Sequence, residues 1–90
     1  MLKAIYTNQF KRDLKLAKKR GKSIRKLKFI ITKIVQEEPL DPKYREHKLI
    51  GKYKGRWECH VEPNLLLIYL VTKKEVVFER TGSHPDLFGR

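Results

Sequence analysis

The sequence predicts an α+β fold, with a two-helix N-terminal hairpin packed on a small, largely antiparallel β-sheet in the order β-α-α-β-β-β. Three observations carry this. Apolar residues recur at helical spacing between positions 8 and 37. After residue 55 they give way to short runs rich in Val, Ile, Tyr and Phe. Turn residues fall at the junctions between these segments. Ninety residues suit one domain over positions 1–90, because so short a chain rarely supports a second core. Hydrophobic residues make up 40% of the chain, enough for packing despite the heavy charge.

Each element follows from local chemistry. Residues 2–6 alternate loosely and favour a strand. Thr7 or Asn8 offers a capping oxygen, and a helix is expected over 8–20 with Phe10, Leu14 and Ala17 on one face. Gly21 ends it. Ser23 caps a second helix over 24–37, whose stripe is Leu27, Ile30, Ile31, Ile34 and Val35, with Ile24 one turn earlier. Pro39 and Pro42 stop that helix, and residues 39–55 read as a long loop. Strands are expected over 56–62, 65–72 and 75–81, separated by Pro63-Asn64 and Lys73-Lys74.

Charge narrows the function. Lys and Arg number 22 against 10 Asp and Glu, a formal charge of +12. Residues 8–35 hold eleven Lys or Arg and one acid, Asp13. Such a surface suits a polyanion. Lys52, Lys54 and Arg56, interleaved with Tyr53 and Trp57, add a second basic and aromatic stretch, and such stretches hold phosphates and stack on unpaired bases. The longest apolar run, 65–71, is too short for a membrane helix. The N-terminus lacks an apolar signal core. The single cysteine, Cys59, forms no internal disulfide. A cytoplasmic protein without a membrane partner is the expectation.

Candidate chemistry clusters on the strands. Period-2 alternation places Trp57, Cys59 and Val61 toward the helices, and Glu58, His60 and Glu62 on the other, uncovered face. That sets an imidazole between two carboxylates, which favours and orients its charged form. In the last strand the same rule pairs Phe78 with Arg80 on one face and Val77 with Glu79 on the other. Gly82 permits a turn that returns His84 toward the sheet. His47, the third histidine, lies in the long loop.

Two histidines with an arginine suit metal-free RNA cleavage. RNA supplies its own nucleophile, the 2′-OH. A base takes its proton, an acid protonates the leaving 5′-oxygen, and a guanidinium steadies the charged phosphorane. Histidine titrates close to neutrality, so two can exchange the acid and base roles. An aromatic can stack on a base held for in-line attack. The fragment His60-Val61-Glu62 matches only part of the zinc deaminase signature, and no Pro-Cys-x-x-Cys follows. One cysteine and three dispersed histidines fit no zinc spacing, and there is no glycine-rich phosphate loop. No metal and no cofactor are expected.

The stretch from His47 to Tyr69, with Phe78 to Gly89, contains H-x-L-x-G, E-C-H-x-x-P, L-L-x-Y and R-x-G-S-H-x-x-L-F. This combination resembles the YafQ branch of the RelE-like bacterial toxins, and Glu38-Pro39-Leu40-Asp41-Pro42 fits the same pattern. The likeness covers essentially the whole chain. It implies the RelE-like fold and a type II toxin that cleaves mRNA, often on the ribosome, held in check by a cognate acidic antitoxin. By matching position it implies active-site roles for His47, His60, Arg80, His84 and Phe88, with Glu58 beside them. His84 is assigned as general acid, His60 as base or base partner, Arg80 as phosphate clamp, Phe88 as stacking platform and His47 as orienting or phosphate-binding group. The acid and base roles are interchangeable at this level. Family members usually carry Asp where Asn64 stands here, and Asn accepts and donates hydrogen bonds but serves as no base. Glu58, Asn64, Phe88, Lys52, Lys54 and Arg56 are expected on the substrate side. Two alternatives are a ParE-like toxin that binds gyrase, and an RNA- or ribosome-binding protein of weakened activity.

Overall fold

Thr7 accepts a hydrogen bond from Phe10 N–H through its side chain, and Ser23 accepts one from Lys26 N–H. These caps start the two helices, α1 (Asn8–Lys19) and α2 (Ile24–Val35). The computed structural model describes residues 1–89. Strand β1 (Lys3–Tyr6) precedes the helices. After them come β2 (His47–Lys48), β3 (Trp57–Glu62), β4 (Leu65–Val71), β5 (Glu75–Gly82) and the short helix α3 (His84–Phe88). The sheet order is β1-β5-β4-β3-β2. Among the described residues only β1 pairs in parallel, from Lys3 opposite Glu75 to Tyr6 opposite Phe78; the other pairs are antiparallel.

The helical hairpin buries its stripes on one sheet face. Phe10, Ala17, Leu27, Ile30 and Ile34 meet Cys59, Val61, Leu67, Tyr69, Val76 and Phe78 there. Central strand β4 is buried on both faces from Leu65 to Tyr69, which accounts for its unbroken apolar run. The face expected to be uncovered is not. A second small core joins Leu66, Ile68 and Leu87, with Leu49 and Tyr53 packed against it. The 49–53 segment and α3 therefore lie over the face that carries the candidate site.

Three further sequence expectations change. The loop over 39–55 contains two single-turn 3-10 segments, Pro42–Tyr44 and Gly51–Tyr53, and the edge strand β2. A bulge between His60 and Glu62 breaks the alternation. It sends Glu62 to the helix side, where it accepts from Ser23 N–H (3.2 Å) and lies 3.7 Å from Lys26 Nζ. His60 is thus not flanked by two carboxylates. A second bulge leaves Glu79 without a partner, because Tyr69 pairs with Phe78 while Ile68 pairs with Arg80. Phe78 and Arg80 consequently face opposite sides: Phe78 joins the helix-side core, and Arg80 sits opposite Ile68 of the second core.

Candidate active site

Pairing of β2 with β3 sets His47 opposite Glu58. The Glu58 carboxylate is buried, with 4% of its side chain exposed. His47 Nε2 and His60 Nε2 approach the same oxygen, Oε1, at 3.3 and 3.4 Å. The second oxygen, Oε2, is buried and has no hydrogen-bond partner among the described residues. A buried carboxylate needs compensation, and here two imidazoles supply it. His47 is fixed from its other side, since Nδ1 lies 2.7 Å from the Arg45 carbonyl. A carbonyl only accepts, so Nδ1 carries a proton. Arg45 itself adopts a left-handed backbone (φ 50°), a conformation few non-glycine residues take, and its carbonyl is the one that holds His47.

His84 arrives from the C-terminal side on α3. Ser83 caps this helix, and Asp86 closes a capping box by accepting from Ser83 N–H (3.0 Å). Those backbone and side-chain hydrogen bonds to Ser83, with Arg20 2.8 Å away, hold the Asp86 carboxyl below its ordinary range. Gly82 (φ 151°) leads into the turn, and a Cβ there would lie 3.1 Å from Asp86 Oδ2 and 3.2 Å from its Cβ. The absence of that Cβ lets α3 fold close against the strand end. His84 then stands 6.1 Å from His60, ring centre to ring centre, and His60 stands 6.3 Å from His47. The Phe88 ring lies 5.4 Å from His84 and meets Tyr53 edge-on at 5.7 Å.

Arg80 completes the row. Its Nε and Nη2 donate to Asp13 at 2.8 and 3.2 Å, and Nη1 lies 3.5 Å from the Tyr53 hydroxyl. Asp13 also accepts from Thr81 N–H and Gln9 Nε2, so the carboxylate is fully used. This pairing raises the already high Arg80 pKa further. Contacts therefore run without a break from His47 through His60, His84, Phe88 and Tyr53 to Arg80. The histidines and Arg80 carry positive or ionisable nitrogen, and Phe88 leaves 38% of its surface exposed.

The remaining sequence candidates lie at the edge. Arg56 is engaged by Glu79, with Nε 3.1 and 3.3 Å from its two oxygens. Lys52 folds its ammonium over Tyr53, 5.5 Å from the ring centre. Lys54 is exposed beside Gly55, and Asn64 is exposed in the two-residue turn between β3 and β4. Sequence reasoning missed Asp13 and Tyr53 as supports. Asp13 had a readable signal: it is the only acid among residues 8–35, and it sits three residues after Phe10 and four before Ala17 on the buried stripe. Below the site, burial, with Glu46 and Glu58 nearby, pushes the Cys59 thiol up to about 12. Burial also raises the Tyr69 hydroxyl, which donates to Glu46. Among the described residues, no helix is long and apolar enough to cross a membrane.

A two-helix hairpin on a five-stranded, largely antiparallel sheet, with three imidazoles and a clamped guanidinium gathered on one face, defines a class of small basic α+β proteins. The particular family is given by comparison. The family model described as "Bacterial toxin of type II toxin-antitoxin system, YafQ" matches residues 2–89, and the chain belongs to that family. It is 46% identical over 85 residues to the mRNA interferase toxin YafQ of Escherichia coli K12, covering 93% of this chain and 92% of that protein. The crystal structure of YafQ from E. coli BL21(DE3) superposes with a TM-score of 0.94 at 42% identity, over 99% of this chain and all of that one. YafQ in the E. coli DinJ–YafQ complex gives 0.92 at 43% identity, with the same coverage.

Proposed function

We propose that this chain is the toxin of a type II pair and an endoribonuclease that cleaves mRNA, on the ribosome in particular, by attack of the 2′-OH on the adjacent phosphate. The observation that carries this is the row of three imidazoles from three separate segments, backed by one buried carboxylate and ending at Arg80. The mRNA interferase name of the E. coli relative favours this chemistry over gyrase binding.

His60 serves as base. With Nε2 turned toward Glu58, a proton on Nε2 leaves the Nδ1 lone pair free to accept the 2′-OH proton, and Glu58 stabilises the resulting imidazolium. His84 serves as acid. It is exposed on α3, so it can reach the leaving 5′-oxygen and protonate it as the P–O bond breaks. His47, with Nδ1 donating to Arg45, can donate from Nε2 as well only as imidazolium, and in that form it is a cation for a phosphate oxygen. Arg80 steadies the phosphorane through the edge of its guanidinium that Asp13 leaves free. Phe88 stacks on a base beside the cut. Lys52, Lys54 and Asn64 serve the flanking strand, and the chemistry draws on no metal or cofactor. Proton balance closes: one proton leaves the 2′-OH, one joins the 5′-oxygen, and a 2′,3′-cyclic phosphate results.

An acidic antitoxin is the proposed protein partner, supported by the +12 charge and by the relative that DinJ binds. Analysis of RNA ends tests the reaction. Purified protein is mixed with free RNA in EDTA, and separately with mRNA undergoing translation. Ends bearing 2′,3′-cyclic phosphate and 5′-hydroxyl are expected. Ends bearing 5′-phosphate, or intact RNA in both settings, would contradict the proposal.

A further inference from the structure

Beside His60 a groove of about 800 Å³ opens between α2 and the 42–45 turn, lined by Arg25, Lys26, Phe29, Lys43, Tyr44 and Arg45. It continues into a hollow of about 440 Å³ that shares Phe29, Lys43 and Tyr44 and adds Lys33. None of the reaction steps above uses these side chains; Arg45 enters them only through its backbone carbonyl. The acids nearby are already engaged: Glu62 with Ser23 N–H and Lys26, Glu38 with Lys33, and Asp41 with Lys43 N–H. Among the described residues, Arg25, Lys43 and Arg45 form no ion pair with a carboxylate.

Two aromatics interrupt the cations. Phe29 is 53% exposed, although it lies on a helix whose other large apolar side chains turn toward the core. Lys33 Nζ stands 5.6 Å from the centre of the Phe29 ring, and Lys43 Nζ stands 5.2 Å from that of Tyr44. Cations beside an exposed aromatic ring suit a strand that alternates phosphates with unpaired bases, and Phe29 is that ring, while Tyr44 packs partly against the main core. An acidic peptide would use the charge but not the ring.

We propose that this groove binds the single-stranded RNA that flanks the scissile phosphate, with Arg25, Lys43 and Arg45 on successive phosphates and Phe29 beneath a base. His60 belongs to both the imidazole row and the groove wall, so the strand passes from one to the other without a gap. The inference rests on the ribonuclease reading and extends it from the cut linkage to its neighbours.

Amide NMR of the full chain, titrated with 2′-O-methyl RNA that resists cleavage, tests it. A dinucleotide should shift amides around His47, His60 and His84 only. An octanucleotide should also shift those of residues 25–29 and 43–45 and bind more tightly. Arg25→Glu with Lys43→Glu should weaken the octanucleotide about tenfold or more, as loss of phosphate contacts does, and leave the dinucleotide unchanged. Phe29→Ser, on an exposed side chain, should weaken the octanucleotide while changing the salt slope little. If both oligonucleotides move only the imidazole amides and bind equally, the groove proposal fails and the ribonuclease reading stands. If neither touches the imidazoles, the reading beneath it fails. If a poly-glutamate peptide shifts residues 25–29 and 43–45 while the octanucleotide does not, the groove belongs to a protein partner and the proposal is overturned.

Discussion

Asp13 shows how one side chain sets the chemistry of another. It grips two nitrogens of Arg80 and also ties down the Thr81 amide. Asp13→Asn keeps the shape but loses the charge-assisted fork, and the stability loss expected is about 1–3 kcal/mol, measured by urea unfolding. Cleavage should fall further than stability does, because in the proposed mechanism Arg80 steadies the phosphorane only while Asp13 holds it in place. Full cleavage by a folded Asp13→Asn protein would dissociate Arg80 aim from activity. His84 is the sharper case. Exposed on α3, it contributes little packing, so His84→Ala should melt near the wild-type temperature yet lose cleavage by about a hundredfold or more, the typical scale of a general acid. Cys59 carries the opposite expectation. With its thiol pushed up to about 12 and fully buried, it should resist iodoacetamide in the native protein at mildly alkaline pH and react once unfolded.

At the scale of elements, the short C-terminal helix is the part on which the site most depends. Leu87 anchors it against Leu66 and Ile68, and the Ser83–Asp86 capping box starts it. Leu87→Ala should cost about 2–5 kcal/mol, as buried leucine truncations do, and should reduce cleavage even in the molecules that remain folded. The capping box gives α3 a pH dependence. The Asp86 carboxyl is depressed in the fold, so its contribution is present above the carboxyl's unfolded value and is lost as pH falls through the folded one. Acid should therefore loosen α3. Amide exchange at residues 84–88 should accelerate on acidification relative to the β4 amides, and Asp86→Asn should remove that difference.

The element scale also shows what a sequence hides. The two helices, their caps and the three long strands were legible within one or two residues, because capping oxygens and apolar periods are local signals. The bulges at Val61 and Glu79 were not, since one extra residue changes the facing of everything beyond it without altering composition. Strand β2 is illegible in the sequence because two residues carry no period of their own. Helix α3 was missed although Ser83-x-x-Asp86 resembles a capping signature, because five residues are too few for a helical stripe. The candidate histidines were readable as residue types and through family resemblance. Their shared carboxylate oxygen was not, as it depends on β2–β3 register.

For the molecule as a whole, two faces divide the work. One sheet face, with α1 and α2, makes the main core; the other, under α3 and the 49–53 segment, holds the imidazoles and Arg80. The helices present their lysines outward, and Lys11, Lys15, Lys18 and Lys19 are exposed. Affinity for RNA should consequently drop steeply with added salt, and a log–log plot should give a slope of several phosphates' worth. An acidic antitoxin that binds only the folded chain should raise its melting temperature in a concentration-dependent way.

The most direct test of convergence is a structure of the protein bound to RNA whose scissile 2′-hydroxyl is replaced by hydrogen. The phosphate at the blocked linkage should lie within hydrogen-bond reach of His84 and Arg80, with the 2′ carbon facing His60 Nδ1. A phosphate seated elsewhere, with the three imidazoles and Arg80 untouched, would contradict the account.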